Sequence, residues 1–145
     1  MRKLAQVIGF QPKENTKDIF IKKYLDGYVI EIDFHKEIIN YGNKIICDSK
    51  TTSNLSKSEN FVVLECVNRL LEKGYKPENI ILEKTWAAGH GTSGRLDICV
   101  TREDGSEYLL IECKTHGKEF EKEFTRMKQN GGQLFTYFKF SNKAD

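Results

Sequence analysis

Residues 95–114 read "RLDICVTREDGSEYLLIECK", and this stretch decides the fold. Two apolar runs, "RLDICVT" and "EYLLIECK", flank "REDGSE", whose Asp104-Gly105 pair is a strong hairpin signal because a tight turn needs a residue tolerant of positive φ. With the turn centred between 104 and 105, the expected antiparallel register sets Asp97 opposite Glu112. Side chains two apart share a strand face, so Glu112 and Lys114 point the same way. Two carboxylates facing each other across a ladder repel. They make sense together if a cation normally lies between them. The ordinary alternative is a cross-strand ion pair on a solvated face. The Leu-Leu-Ile run before Glu112 weighs against it, because that run reads as buried on both faces and buried charge without function is rare.

Carboxylates plus a backbone carbonyl, without His or Cys, form an oxygen donor set that suits a hard cation such as Mg²⁺. A metal-bound water oriented by the Lys114 ammonium is a nucleophile for a phosphodiester, and the same ammonium offsets charge growing on the phosphate. Asp97 and Glu112 are therefore the expected ligands, with the Cys113 carbonyl as a third, and Mn²⁺ is the expected substitute for Mg²⁺.

The rest of the chain sets bounds. With 145 residues there is room for one α/β-sized domain. A net charge of +2 does not announce a nucleic-acid binder, so DNA contacts must come from local patches. Cys47, Cys66, Cys99 and Cys113 are scattered without a Cys-x-x-Cys pair, which argues against structural zinc and for free thiols in a reducing cytosol. The N-terminus lacks the apolar run of a signal peptide, and no stretch approaches a membrane span, so a cytoplasmic location is expected.

"GYVIEIDF" (27–34) predicts a strand, and "EIINYGNKIIC" (37–47) predicts further extended structure around a Tyr-Gly-Asn turn. The polar run "DSKTTSNLSKS" (48–58) reads as a linker, so residues 1–55 are expected to be a β-rich appendage and 56–145 the part with chemistry. A helix follows, with Val63, Val67 and Leu70 on one line and Leu64 and Leu71 beside it. Ser56 with Glu59 matches a capping box, and Ser58 is an equal N-cap candidate. Gly74 and Pro77 end that helix, and "NIILEKTW" (79–86) predicts a strand before the hairpin. Helical spacing returns from Lys118 to Phe140, with a break expected at Gly131-Gly132, where two glycines cost about 2 kcal/mol relative to alanines.

Asp97 on one strand and Glu112-Cys113-Lys114 at the end of the next resemble the PD-(D/E)xK nuclease signature, with Leu96 in place of the usual proline. Together with "SENFVVLECVNRLLEKGY" (58–75) and "GGQLFTYF" (131–138), they resemble the N-terminal nuclease domain of type I restriction enzyme R (HsdR) proteins, over roughly residues 56 to 140. The resemblance implies a restriction-endonuclease-like α/β core: a central mixed β-sheet flanked by helices, with the hairpin in the middle. It also implies Mg²⁺-dependent cleavage of double-stranded DNA in defence against foreign DNA, with specificity and modification subunits as partners. The parent chain would be longer and carry ATP-dependent motors. No Walker-type Gly-x-x-x-x-Gly-Lys-Ser/Thr occurs here, so the chain is expected to be a fragment or a stand-alone module.

Two further roles come from the resemblance. A helical glutamate reaches toward the metal in that family, and Glu59 lies beside the apolar stripe while Glu65 falls on the far side with Arg69. Glu59 is chosen, with capping as its alternative role. Gln133 and Tyr137 in "QLFTY" resemble the family's Gln-x-x-x-Tyr motif, which sets Gln133 toward the DNA backbone or Lys114, with Gln129 as the fallback and core packing as the alternative for Tyr137. Arg95 and Lys118 are candidate phosphate contacts, and Lys122, Arg126, Lys128 and Arg102 are weaker ones. "GHGTSG" (89–94) matches Gly-x-Gly-x-x-Gly, but a strand rather than a helix follows it, so a dinucleotide site is rejected. His90 and His116 lack partners at ligand spacing. The competing readings are a Mrr-like or DNA-repair nuclease with the same core, and a catalytically silent DNA-binding domain of this fold.

Overall fold

The computed structural model describes residues 1–86 and 94–133. The described residues form two four-stranded sheets and three α-helices. The chain opens with a short helix α1 (Arg2–Val7) and runs into strands β1 (Gln11–Pro12), β2 (Ile19–Lys23), β3 (Val29–Asp33) and β4 (Ile38–Asn40). These form an antiparallel sheet in sequence order. Its inner face is the alternation Ile30, Ile32 in β3 with Phe20 in β2 and Ile39 in β4. The sequence reading found β3 and β4 but not α1, β1 or β2.

The second sheet is mixed. Strand β5 (Ile46–Cys47) runs parallel to β6 (Ile80–Thr85), which pairs antiparallel with β7 (Arg95–Thr101), and β7 with β8 (Glu107–Ile111). The order β5-β6-β7-β8 makes β8 an edge among the described strands, so the hairpin is not central as expected. For the same reason β8 is not buried on both faces: Tyr108 is exposed and Leu109, Leu110 and Ile111 are half-buried.

Between the sheets in sequence lies α2 (Ser58–Glu72), whose stripe Val63, Leu64, Val67, Leu70 and Leu71 is buried as its spacing predicts. Gly74, at φ +88, ends it: Gly74 N–H donates to Leu71 O and Tyr75 N–H to Leu70 O, satisfying carbonyls the last turn leaves open. The expected cap at the other end is absent. The N-cap position falls on Lys57, with no side-chain bond, because Ser56 turns back to Asn54 Oδ1 through both its amide (3.0 Å) and its hydroxyl (2.7 Å).

One contiguous core joins both sheets to α2. The rows Ile80–Val100–Leu109 and Leu82–Ile98–Ile111 across the second sheet share it with Ile30, Ile32 and Ile39 of the first. The residues expected to be an appendage thus bury their apolar face in the same core as α2. Two buried asparagines fix the contact. Asn68 Oδ1 accepts from Lys22 Nζ (2.6 Å) and the Tyr24 hydroxyl (2.9 Å), and Asn60 Nδ2 donates to Thr51 O and Asn54 O, both at 2.7 Å. The presumed linker is therefore tied down by backbone contacts and a short 3₁₀ turn at Lys50–Ser53. On the outer face of the second sheet a small cluster forms from Leu96, Cys99, Ile81, Leu110 and Trp86. Helix α3 (Lys118–Asn130) closes the described chain and buries none of its residues.

Candidate functional site

The hairpin register is the one expected from its turn: Ile98 pairs with Ile111, Cys99 with Leu110 and Val100 with Leu109. Asp104 Oδ1 accepts from the Ser106 amide (2.9 Å) and hydroxyl (2.6 Å), which holds the turn. The paired ladder ends at Ile98–Ile111; just beyond it Asp97 meets the Glu112–Cys113 segment, where Cys113 N–H donates to Asp97 Oδ2 at 2.6 Å. Cys113 turns inward, into the core that Cys66 of α2 also contacts. Glu112 and Lys114 turn away from it and pair at 2.6 Å.

Both members of that pair are sheltered, Glu112 with 7% of its side chain exposed and Lys114 with 20%. Lys114 occupies one Glu112 oxygen, while Oε2 is buried with no hydrogen-bond donor among the described residues. Burial pushes the Glu112 carboxyl up to about 7; Lys114 opposes this, and the charges of Asp97 and Glu59 add to it. Burial also holds Asp97 above the usual carboxylate range, with Glu59 and Glu83 pushing the same way against the Cys113 amide and Lys114. Burial alone would lower Lys114, but its bond to Glu112 and the charges of Glu112, Glu59 and Asp97 outweigh it, so the ammonium is raised. All three groups thus hold protons more tightly than in water. The site is short of positive charge.

Glu59, near the start of α2, is close enough for its charge to act on Asp97, Glu112 and Lys114, whereas Glu65 is paired with Arg69 Nε at 2.8 Å. With Ser56 turned away, Glu59 has no capping partner there. Gln133 lies just beyond α3, its backbone N–H donating to Glu123 Oε1 at 2.7 Å. Arg95 opens β7, with Nη1 3.7 Å from Glu83, and Lys118 is the exposed first residue of α3. Arg102 stays at the turn, bonded to Glu107 O (3.1 Å) and lying over the Tyr108 ring, at the far end of β7 from Asp97. Tyr137 and His90 lie outside the described residues.

Glu83 is the residue that sequence reasoning missed. The ladder pairs Leu82 with Ile98 and Lys84 with Leu96 but skips the Glu83–Asp97 rung, and Glu83 has φ +53, a conformation that side chains with a Cβ adopt at a cost. Leu96 then clusters with Cys99 rather than with Ile98, so strict alternation along β7 breaks across Asp97. Glu83 accepts from the Thr51 hydroxyl, its side chain is 12% exposed, and its Oε2 is buried without a donor. Nothing in "ILEKT" signals this, because alternation alone makes Glu83 an ordinary outward residue.

The donor set fits a hard cation: carboxylate oxygens, with Glu112 Oε2 and Glu83 Oε2 buried and without a donor among the described residues, in a place short of positive charge. Among the described residues, no three Asp, Glu, His or Cys side chains converge into a complete metal cage. Such a cage is not what Mg²⁺ requires, since it accepts one or two carboxylates and completes its shell with water and substrate oxygens.

Fold and site together define a mixed α/β domain that gathers acidic side chains and one lysine at the end of a β-hairpin. The model of the family described as type I restriction enzyme R protein N terminus (HSDR_N) matches residues 58–141, and the chain belongs to that family. No curated protein matches the chain. Among the described residues, no helix is long and apolar enough to cross a membrane.

Proposed function

We propose that this domain is a Mg²⁺-dependent endonuclease module of the PD-(D/E)xK type, hydrolysing phosphodiester bonds of double-stranded DNA within a type I restriction complex. The observation that carries the reading is the meeting of Asp97, Glu112 and Lys114, with a Glu112 oxygen buried and lacking a donor. Asp97 and Glu112 would hold the metal, with the Cys113 carbonyl as a third protein oxygen and Glu59 acting from the start of α2. When bound, Mg²⁺ supplies an acidified water and offsets charge on the phosphate.

The chain's own residues do the remaining work. The Cys113 amide fixes the Asp97 carboxylate against the strand end, so the two acidic groups are preorganised rather than free to separate. Lys114, kept charged by its neighbours, orients the attacking water and binds the phosphate oxygen that gains charge. Gln133, Tyr137, Arg95 and Lys118 contact the DNA backbone. Specificity and modification subunits supply sequence recognition, and ATP is used by motor domains outside these residues.

The test is cleavage of supercoiled and linear duplex DNA in Mg²⁺, by the full chain and by Lys114→Ala. Loss of the lysine should lower cleavage by about 100-fold or more, the range for removing one preorganised electrostatic group, while Mn²⁺ binding measured by calorimetry persists. Asp97→Ala and Glu112→Ala should lose both. Cleavage by Lys114→Ala at the parent rate, or a parent that binds Mn²⁺ no better than Glu112→Ala, removes the reading.

A further inference from the structure

Helix α3 carries Phe120, Phe124 and Met127 at helical spacing, and they are 44%, 43% and 43% exposed. The helix has no buried residue, so this stripe is not part of the core. The two phenyl rings lie nearly parallel, 13° apart with centroids at 5.9 Å, and Lys128 Nζ stands 4.5 Å from the Phe124 ring centre. The stripe does not face open solvent uniformly. With Glu112, Lys114 and Glu123 it lines a cleft of about 260 Å³. A single cleft therefore runs from the acidic and lysine groups of the site onto an aromatic surface.

We infer that this cleft takes an unstacked nucleobase of the strand being cut, laid against Phe120 and Phe124. The inference rests on the nuclease reading, which puts a DNA phosphate at Lys114. A ligand anchored there by its phosphate and extending along the cleft meets the phenyl rings of Phe120 and Phe124 and the Met127 thioether, in an opening large enough for one base. Every base offers a π face to such a wall, so the contact needs no sequence-specific hydrogen bonds. Lys128, over the Phe124 ring, supplies a cation where the next phosphate of the strand would pass. A base inside an intact duplex is already stacked on both sides and cannot present its face. The cleft therefore selects strands that are single, frayed or opened at the cut.

The experiment uses the full chain in chelator, so that nothing is cut, with fluorescence anisotropy of a labelled thymine oligomer of about twelve nucleotides and of a blunt duplex. Phe120→Ala and Phe124→Ala should each weaken single-strand binding by roughly 5- to 100-fold, the range for losing one base–aromatic stack, and leave duplex binding nearly unchanged. Phe124→Trp should bind like the parent, and Phe124→Leu, apolar but not aromatic and the milder packing change, should bind weakly. Circular dichroism of each variant checks that α3 persists. Parent-like single-strand binding by Phe124→Leu overturns the inference and marks the stripe as a protein-docking or fold-back surface. Equal losses on single strand and duplex overturn it as well. If the parent cuts duplex DNA in Mg²⁺ yet the ring variants bind unchanged, only this inference falls. If Lys114→Ala cuts like the parent, the nuclease reading falls while the strand-binding result stands.

Discussion

Glu112 carries an electrostatic cost in the metal-free protein. Its carboxyl titrates near 4.5 in an unfolded chain and is pushed up to about 7 in the fold by burial, with Asp97 and Glu59 adding to the effect. Between those values the unfolded chain releases a proton that the folded one keeps, so stability at this residue falls as pH rises through that window. The loss reaches up to about 3 kcal/mol at pH 8. Glu112→Gln, neutral and of the same shape, should remove this dependence. Urea denaturation in chelator at pH 5 and pH 8 should find the variant close to the parent at pH 5 and more stable than it at pH 8. A variant-to-parent difference equal at the two pH values contradicts this account. Asp97 is shifted in the same direction, so part of the slope persists in the variant.

At the scale of the element, the end of α3 decides where Gln133 stands. Gly131 adopts φ +82 as the C-cap and its amide returns to Met127 O at 3.0 Å. Gly132 follows at φ +56, where an added Cβ would stand 2.4 Å from Glu123 Oε1 and 3.3 Å from the Met127 amide nitrogen. Glu123 is thereby free to accept from the Gln133 amide across the helix end. Gly132→Ala should cost about 1 kcal/mol from the left-handed backbone alone, push Glu123 aside and release that bond. Glu123→Ala should release it without the backbone strain. Hydrogen exchange at the Gln133 amide is the readout, and it should speed up in both variants. Unchanged exchange in both would show that something other than Glu123 holds this segment.

For the whole molecule, the decisive feature is that the two sheets and α2 share one core. Strand β5 belongs to the second sheet although it precedes α2, and Lys22 of β2 and Tyr24 just past it meet at Asn68. A chain begun at residue 56 would expose Val63, Val67, Leu70 and the inner rows of β6 and β7, each large side chain forfeiting roughly 1.5–3 kcal/mol of burial. Against the few kcal/mol that stabilise a domain of this size, that loss is decisive. Residues 56–145 alone should be unfolded or aggregated by circular dichroism and size exclusion, although they contain the whole matched segment 58–141. A compact, cooperatively melting fragment would refute the shared-core account.

The sequence alone determined those features that depend on near neighbours. The Asp104-Gly105 turn set the register of β7 on β8, the period of the α2 stripe set its buried face, and the double glycine set the end of α3. Each is a local preference acting over a few residues, which is why the meeting of Asp97 with the Glu112–Lys114 segment was legible. Glu83 was not legible, because its importance comes from a skipped rung and a left-handed backbone that exist only once β6 meets β7. Nor was the release of Glu59 from a capping role, which depended on Ser56 choosing Asn54 instead. The edge position of β8 and the union of both sheets around α2 were likewise decided only in three dimensions. Long-range burial of apolar surface, worth more than any one local preference, overrode the polar stretch at 48–58 that reads as a boundary.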